Sequence, residues 1–170
     1  MEIYNEDMPE NYTFFYSGIF SQWHIALMTI GKVEYNCCEQ FMHSQKAIYF
    51  QDFKILHKIM KAKDPKIQKK LGREVKGFKK NKWERIAKSV IFDGNFAKFT
   101  QHLDLQKALL ETKGTILAEA SAKDRLYGIG LSASDPLALH HKTWKGKNWL
   151  GETLTIVREE IIKIRKVNHV

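Results

Sequence analysis

The sequence predicts an α+β fold, predominantly α-helical, with a few short antiparallel strands. Three observations predict it. Leu150, Leu154, Val157, Ile161 and Ile164 step by alternating fours and threes, the apolar stripe of a helix packed on a core. Gly31-Lys32 separates two short runs, Ala26 to Ile30 and Val33 to Tyr35, and glycine in the first central position is the signature of a two-residue type II′ hairpin. The length of 170 residues, with 44% hydrophobic and 12% aromatic content, suits one domain with a sizeable core and is short for two.

In chain order, Tyr12 to Tyr16 is aromatic and β-branched and is closed by Ser17-Gly18, which predicts a short strand; a loop through Phe20 to His24 leads to the hairpin. A helix then runs from Cys38 to about Phe50. Phe53, Leu56, Ile59 and Met60 recur at helical spacing, and Asp64-Pro65 offers an N-cap followed by proline for a helix through Leu71. The segment from Gly72 to Phe78 is bracketed by Gly72 and Gly77, which predicts a backbone that bends or comes close to a ligand. Trp83, Ile86, Ala87 and Val90 open a long helix that continues through Phe99, with Asp93-Gly94 as its weak point, and Leu103 to Glu111 gives another. Ile116 to Ala120 reads as a strand, and the glycines of Lys123 to Gly130 mark a turn. On the last helix, Glu159 and Lys163 form an i,i+4 surface pair.

Composition excludes several classes. No apolar run approaches the ~20 residues of a membrane span, and the acidic start Met1 to Asp7 lacks the basic and then apolar order of a signal peptide, so no membrane partner and a cytoplasmic location are expected. The two cysteines, Cys37 and Cys38, are adjacent, which rules out a disulfide framework and leaves them as buried small hydrophobes. The histidines never pair with Cys or Asp at ligand spacing, so no metal and no cofactor is expected. A formal net charge of +9 favours polyanionic or phosphorylated partners, but the lysines are scattered in the manner of a solvated surface and no nucleic-acid-binding motif is present.

One stretch departs from the amphipathic pattern. On the helix from Cys38, Glu39, His43 and Lys46 lie at i, i+4 and i+7 and share one face, with Phe41, Ile48 and Tyr49 on the opposite stripe as anchors. Spacing alone favours a solvated face.

Eight segments taken in order change that weighting: Phe20-Ser21-Gln22-Trp23; Cys38-Glu39-Gln40-Phe41 with Gln45-Lys46-Ala47; Gly72 to Phe78; Trp83; Ala97-Lys98-Phe99; Glu119-Ala120-Ser121; Asp124 to Leu131; and Gly146 to Gly151. Together they resemble the NADAR family of YbiA-like N-glycosidases, from about Phe14 to Arg158, and make 1–170 a single domain of that kind. The resemblance implies hydrolysis of a bond between ribose and nitrogen. The substrate it implies is ADP-ribose on guanine or a phosphoribosylamino intermediate of riboflavin synthesis, with ADP-ribosylated nucleic acid as a further partner. It places Glu39, Lys46 and Asp124 at the catalytic positions. Two departures, Tyr127 where the family commonly has Trp and His24-Ile25-Ala26 where it has a proline-containing segment, touch the base or nucleotide contacts.

The chemistry fits those residue types. Breaking an N-ribosyl bond passes through an oxocarbenium-like state that a carboxylate such as Glu39 stabilises in a dry site. A neutral Lys46 amine can attack the anomeric carbon if burial or a nearby cation lowers its pKa; otherwise it binds phosphate. Trp23, Trp83 and Tyr127 offer flat walls to a base, with core packing as the rival role for each. Arg73 and, second, Arg125 offer forked cations to phosphate. Gly128 and Gly130 let a backbone come close to a ligand or simply turn the chain. The alternative class is a binding module that holds ADP-ribose, NAD or nucleic acid without turning it over.

Overall fold

A computed structural model describes residues 11–167; the acidic start read above lies outside the described residues. In chain order the elements are β1 (Tyr12–Phe15), β2 (Met28–Ile30), β3 (Val33–Tyr35), α1 (Cys38–Tyr49), α2 (Phe53–Lys61), α3 (Pro65–Arg73), α4 (Lys80–Gln101), α5 (Leu103–Glu111), β4 (Ile116–Glu119) and α6 (Trp149–Val167). They form two compact units. A central unit spans Gln22–Leu103, and a terminal unit runs to Ser21 and resumes at Asp104. The α+β, mainly helical architecture expected from the sequence is present.

In the central unit β2 and β3 pair antiparallel with Ile30 opposite Val33. Gly31 and Lys32 both take positive φ, 56° and 68°. Type II′ needs only the first residue there, whereas type I′ needs both, so the turn follows the I′ pattern, which matches the twist of the flanking strands. Chain leaving β3 enters α1, which packs against α2, α3 and α4. Each of the next two helices starts on an aspartate: the Asp52 carboxylate accepts the Ile55 N–H and that of Asp64 accepts the Lys66 N–H, with Pro65 at the first helical turn. The other oxygen of Asp52 accepts the Lys76 N–H, pinning the chain after α3 to the start of α2. Ala47, Ile55, Ile59 and Val75 form the apolar centre between them. Helix α4 passes unbroken through Asp93-Gly94, where a side chain at 94 would collide with the Phe41 ring.

Of the anchoring face assigned to α1, Phe41 is buried as expected and the other two residues are corrected. Ile48 and Tyr49 are about two-fifths exposed, while Glu39, His43 and Lys46 are buried. The cause is that α1 is enclosed on several sides by α2, α3 and α4, so its first two turns have no solvent face and only its last turn emerges.

In the terminal unit β1 and β4 pair in register from Tyr12 opposite Ile116 to Phe15 opposite Glu119, and they run parallel. Antiparallel strands were expected; helices α1 to α5 intervene in the chain, so no tight turn imposes an antiparallel return. Helix α6 packs on β4, with Leu150, Leu154, Val157 and Ile161 almost fully buried, and the Thr155 hydroxyl accepts the Leu117 N–H at 3.0 Å. Its expected Glu159–Lys163 pair is replaced. Buried Arg158 donates to the carbonyls of Thr112 and Thr115 and takes Glu159 at 2.9 Å, so Lys163 pairs with Glu160 at 3.2 Å.

Candidate active site

The polar stripe of α1 is the most concentrated chemistry in the central unit. Glu39 is 3% exposed, His43 6% and Lys46 9%. The His43 Nε2 lies 3.0 Å from the Glu39 Oε1, an i,i+4 pair out of water. The N-terminus of α1 is tied down in turn, since the Glu39 N–H donates to the Gln22 carbonyl at 3.0 Å. Two turns further on, the Lys46 Nζ donates to the Gly72 carbonyl at 2.8 Å and sits 4.0 Å from the centroid of the Phe78 ring. Burial lowers the Lys46 amine from its ordinary value, and the nearby Arg73 guanidinium lowers it further. Either of these would favour a lysine nucleophile, although the cation–π contact works against them by favouring the ammonium.

Gly72 is a point of close approach, as its bracketed position suggested, but to a side chain of the protein. A Cβ there would lie 2.0 Å from the His43 Nδ1. Gly72 and Arg73 extend α3 by two residues beyond the expected stop at Leu71, and Arg73 ends the helix exposed. Trp23 is 42% exposed with the Lys69 Nζ 5.6 Å from its ring centroid, whereas Trp83 is 3% exposed and takes the packing role.

In the terminal unit the Asp124 Oδ1 accepts the N–H groups of Leu126 and Tyr127 at 2.9 and 2.8 Å, so this carboxylate builds its own turn. Tyr127 meets Trp149 edge-on at 6.4 Å, and Arg125 is exposed. Gly128 is backed against the β4 terminus, where a Cβ would lie 2.8 Å from the Glu119 carbonyl oxygen; its close approach is to the protein's own backbone. At the carboxyl ends of the parallel strands lies a cavity of about 520 Å³ whose walls include Phe15, Tyr16, Ser121, Lys123 and Ser132.

Three structural features were not anticipated from the sequence. Gln40, beside Glu39, donates to the Ile59, Met60 and Ala62 carbonyls and accepts from the Asn36 N–H, so it caps α2. Gln68 is fully buried, accepting the Cys37 thiol at 3.2 Å and donating to Asn36 and Ala62. Lys98 is fully buried on α4, and desolvation lowers its amine. The signal for Lys98 was present: it continues the helical face of Ala87, Val90, Ile91 and Gly94. Neither glutamine carries a local signal, because its partners lie on other elements.

Both cysteines are buried and free, and desolvation pushes their thiols up, Cys37 to about 12 and Cys38 to about 11, which makes them packing residues. Among the described residues no group of three or more His, Cys, Asp or Glu could hold a metal, and no helix is long and apolar enough to cross a membrane.

Comparison with known proteins bears on the same segments. An N-glycosidase of Acanthamoeba polyphaga mimivirus is 36% identical over 164 residues, covering 89% of this chain and 96% of that protein. A riboflavin biosynthesis protein of Vibrio vulnificus is 28% identical, covering 94% of this chain and 38% of its own length. The NMR structure of Escherichia coli YbiA superimposes with a TM-score of 0.77 at 27% identity, covering 96% of this chain and 91% of that one. The NADAR domain family model matches residues 13–162, and with the buried Glu39–His43–Lys46 stripe inside that span the chain belongs to the NADAR domain family.

Proposed function

We propose that the protein is a hydrolase acting on N-glycosyl bonds, cleaving ribose from nitrogen in ADP-ribosylated guanine or in a phosphoribosylamino intermediate of riboflavin synthesis. The observation that carries this reading is the burial of a carboxylate and an amine, Glu39 and Lys46, on one helical face, with the amine lowered by burial and by Arg73. The names of the relatives support the reaction class, and the name of the Vibrio relative supports the riboflavin intermediate.

Glu39 stabilises positive charge on the sugar as the C1–N bond breaks, in a site dry enough for a carboxylate to act strongly. The bonding pair leaves with the nitrogen, which takes up a proton. The neutral Lys46 amine forms a bond to C1, the ribose ring opens to an imine, and water then hydrolyses the imine to return the amine and the free ribosyl product. Within the central unit, Trp23 is the candidate base contact and Arg73 the candidate phosphate contact in this reading.

Incubating the protein with ADP-ribosylated guanosine and, separately, with the phosphoribosylamino compound tests it. Chromatography is expected to show free base from one of them, and Glu39→Gln, nearly isosteric, is expected to lower turnover at least ~10²-fold. Tight binding of both compounds with no release of base would make the protein a binding module.

A further inference from the structure

We propose that His43 is the positioning residue for the Glu39 carboxylate and that Gly72 holds it in that role. The inference rests on the reading of Glu39 as the charge-stabilising group. His43 is the one hydrogen-bond partner of the Glu39 side chain among the described residues, through Nε2 to Oε1 at 3.0 Å. A carboxylate 3% exposed with a single partner takes its orientation from that partner. Glu39 Oε2 accepts nothing from the described residues and is the oxygen left for substrate.

The far side of the ring explains why His43 can do this. Its Nδ1 is buried and has no hydrogen-bond partner among the described residues. It faces Gly72 so closely that a Cβ there would lie 2.0 Å from Nδ1, 2.3 Å from Cγ and 2.6 Å from Cε1. A proton on Nδ1 would be a buried donor without an acceptor, so the ring proton belongs on Nε2, where it donates to Glu39. The same packing prevents the imidazole from swinging out of line. Gly72 acts twice, because its carbonyl also accepts the Lys46 Nζ at 2.8 Å. One residue of α3 therefore registers both ends of the stripe, carboxylate and amine, without touching either carboxylate oxygen.

The rival role for His43 is space-filling, and paired substitutions separate the two. His43→Leu fills the site without a donor, and His43→Gln keeps an N–H for Glu39. Positioning predicts that His43→Leu lowers kcat at least ~10-fold with KM within about twofold, and that His43→Gln recovers most of the loss. Equal activity in the Leu variant and the native protein, or no advantage of Gln over Leu, overturns the proposal.

A second measurement does not depend on turnover. In ¹⁵N spectra of histidine-labelled protein, His43 is expected to show a protonated Nε2 and a bare Nδ1. Its Nε2–H signal is expected to move in Glu39→Gln, and Gly72→Ala is expected to abolish the pattern while Lys46→Met leaves it in place. An Nδ1–H tautomer, or a signal indifferent to Glu39→Gln, overturns the proposal. A failure of the glycosidase reading appears differently, as no free base from any substrate with the His43 signature intact.

Discussion

Lys46 is lowered by two causes of unequal kind, and they can be separated experimentally. Desolvation comes from its place inside α1 and cannot be removed without dismantling the helix packing, but the Arg73 contribution can be removed by one substitution. Because the amine titrates below its ordinary 10.5, the neutral fraction grows as pH rises through that lowered value, and turnover is expected to rise with it. In Arg73→Ala the lowering weakens, so the alkaline rise in kcat is expected to move toward higher pH. The same variant is expected to weaken phosphorylated substrates selectively, by about 1.5 kcal/mol for the loss of one exposed charge-assisted contact. An unshifted profile would remove Arg73 from the electrostatics of the amine. Lys46→Arg keeps the charge and cannot be a nucleophile, so it is expected to be nearly inactive; borohydride added during turnover of the native protein is expected to trap a ribosyl adduct on Lys46, read by intact mass. Substantial activity in Lys46→Arg with no adduct would assign the lysine to phosphate binding and return the chemistry to direct attack by water.

Among the elements, the β2–β3 hairpin carries the plainest backbone strain, with Lys32 at φ 68° where a residue with a Cβ is disfavoured. Asparagine tolerates that region without the unfolded-state entropy that glycine would add, so Lys32→Asn is expected to stabilise the central unit by about 0.5 kcal/mol, seen as a higher urea midpoint. No gain would mean that the Lys32 conformation is relieved in solution. The hairpin also shows how far the sequence could be read. Gly31-Lys32 located the turn and its two strands, yet the turn type depends on the twist of the pair, which no single dipeptide states. Helix α6 was legible because its stripe repeats locally, α2 because Phe53, Leu56, Ile59 and Met60 recur at helical spacing, and the α3 start because Asp64-Pro65 acts within one turn. What could not be read are features set across elements: the parallel pairing of β1 with β4, the capping of α2 by Gln40, and the packing of His43 on Gly72. The i, i+4, i+7 spacing placed Glu39, His43 and Lys46 on one face, but whether that face meets solvent or three other helices is decided by residues far along the chain.

At the scale of the molecule, four buried titratable groups of the central unit act on stability in opposite directions. Lys46 and Lys98 are lowered from 10.5, chiefly by burial. Between their lowered values and 10.5 the unfolded chain holds protons that the folded chain has released, so stability rises with pH in that window. Cys37 and Cys38 behave oppositely. Burial pushes their thiols from 9.0 up to about 12 and about 11, so above 9.0 the unfolded chain ionises thiols that the folded chain keeps protonated. Their contribution is complete below 9.0 and is lost as pH rises through the folded values. Falling net charge adds to the gain on the way up, since the chain starts at +9 at pH 7 with a sequence pI near 9.5. The expected profile therefore stops rising at about 9.0, where the thiol loss begins to oppose the lysine gain, and declines above 10.5, where the lysine gain has ended and the thiol loss has not. Urea midpoints followed by the fluorescence of buried Trp83 against pH test this, with Cys37→Ala/Cys38→Ala as the decisive comparison. That double variant loses packing and starts lower, but with no thiols to ionise its alkaline decline should flatten. A decline of unchanged steepness would mean that the thiols are not the source, and that the adjacent cysteines ionise as readily folded as unfolded.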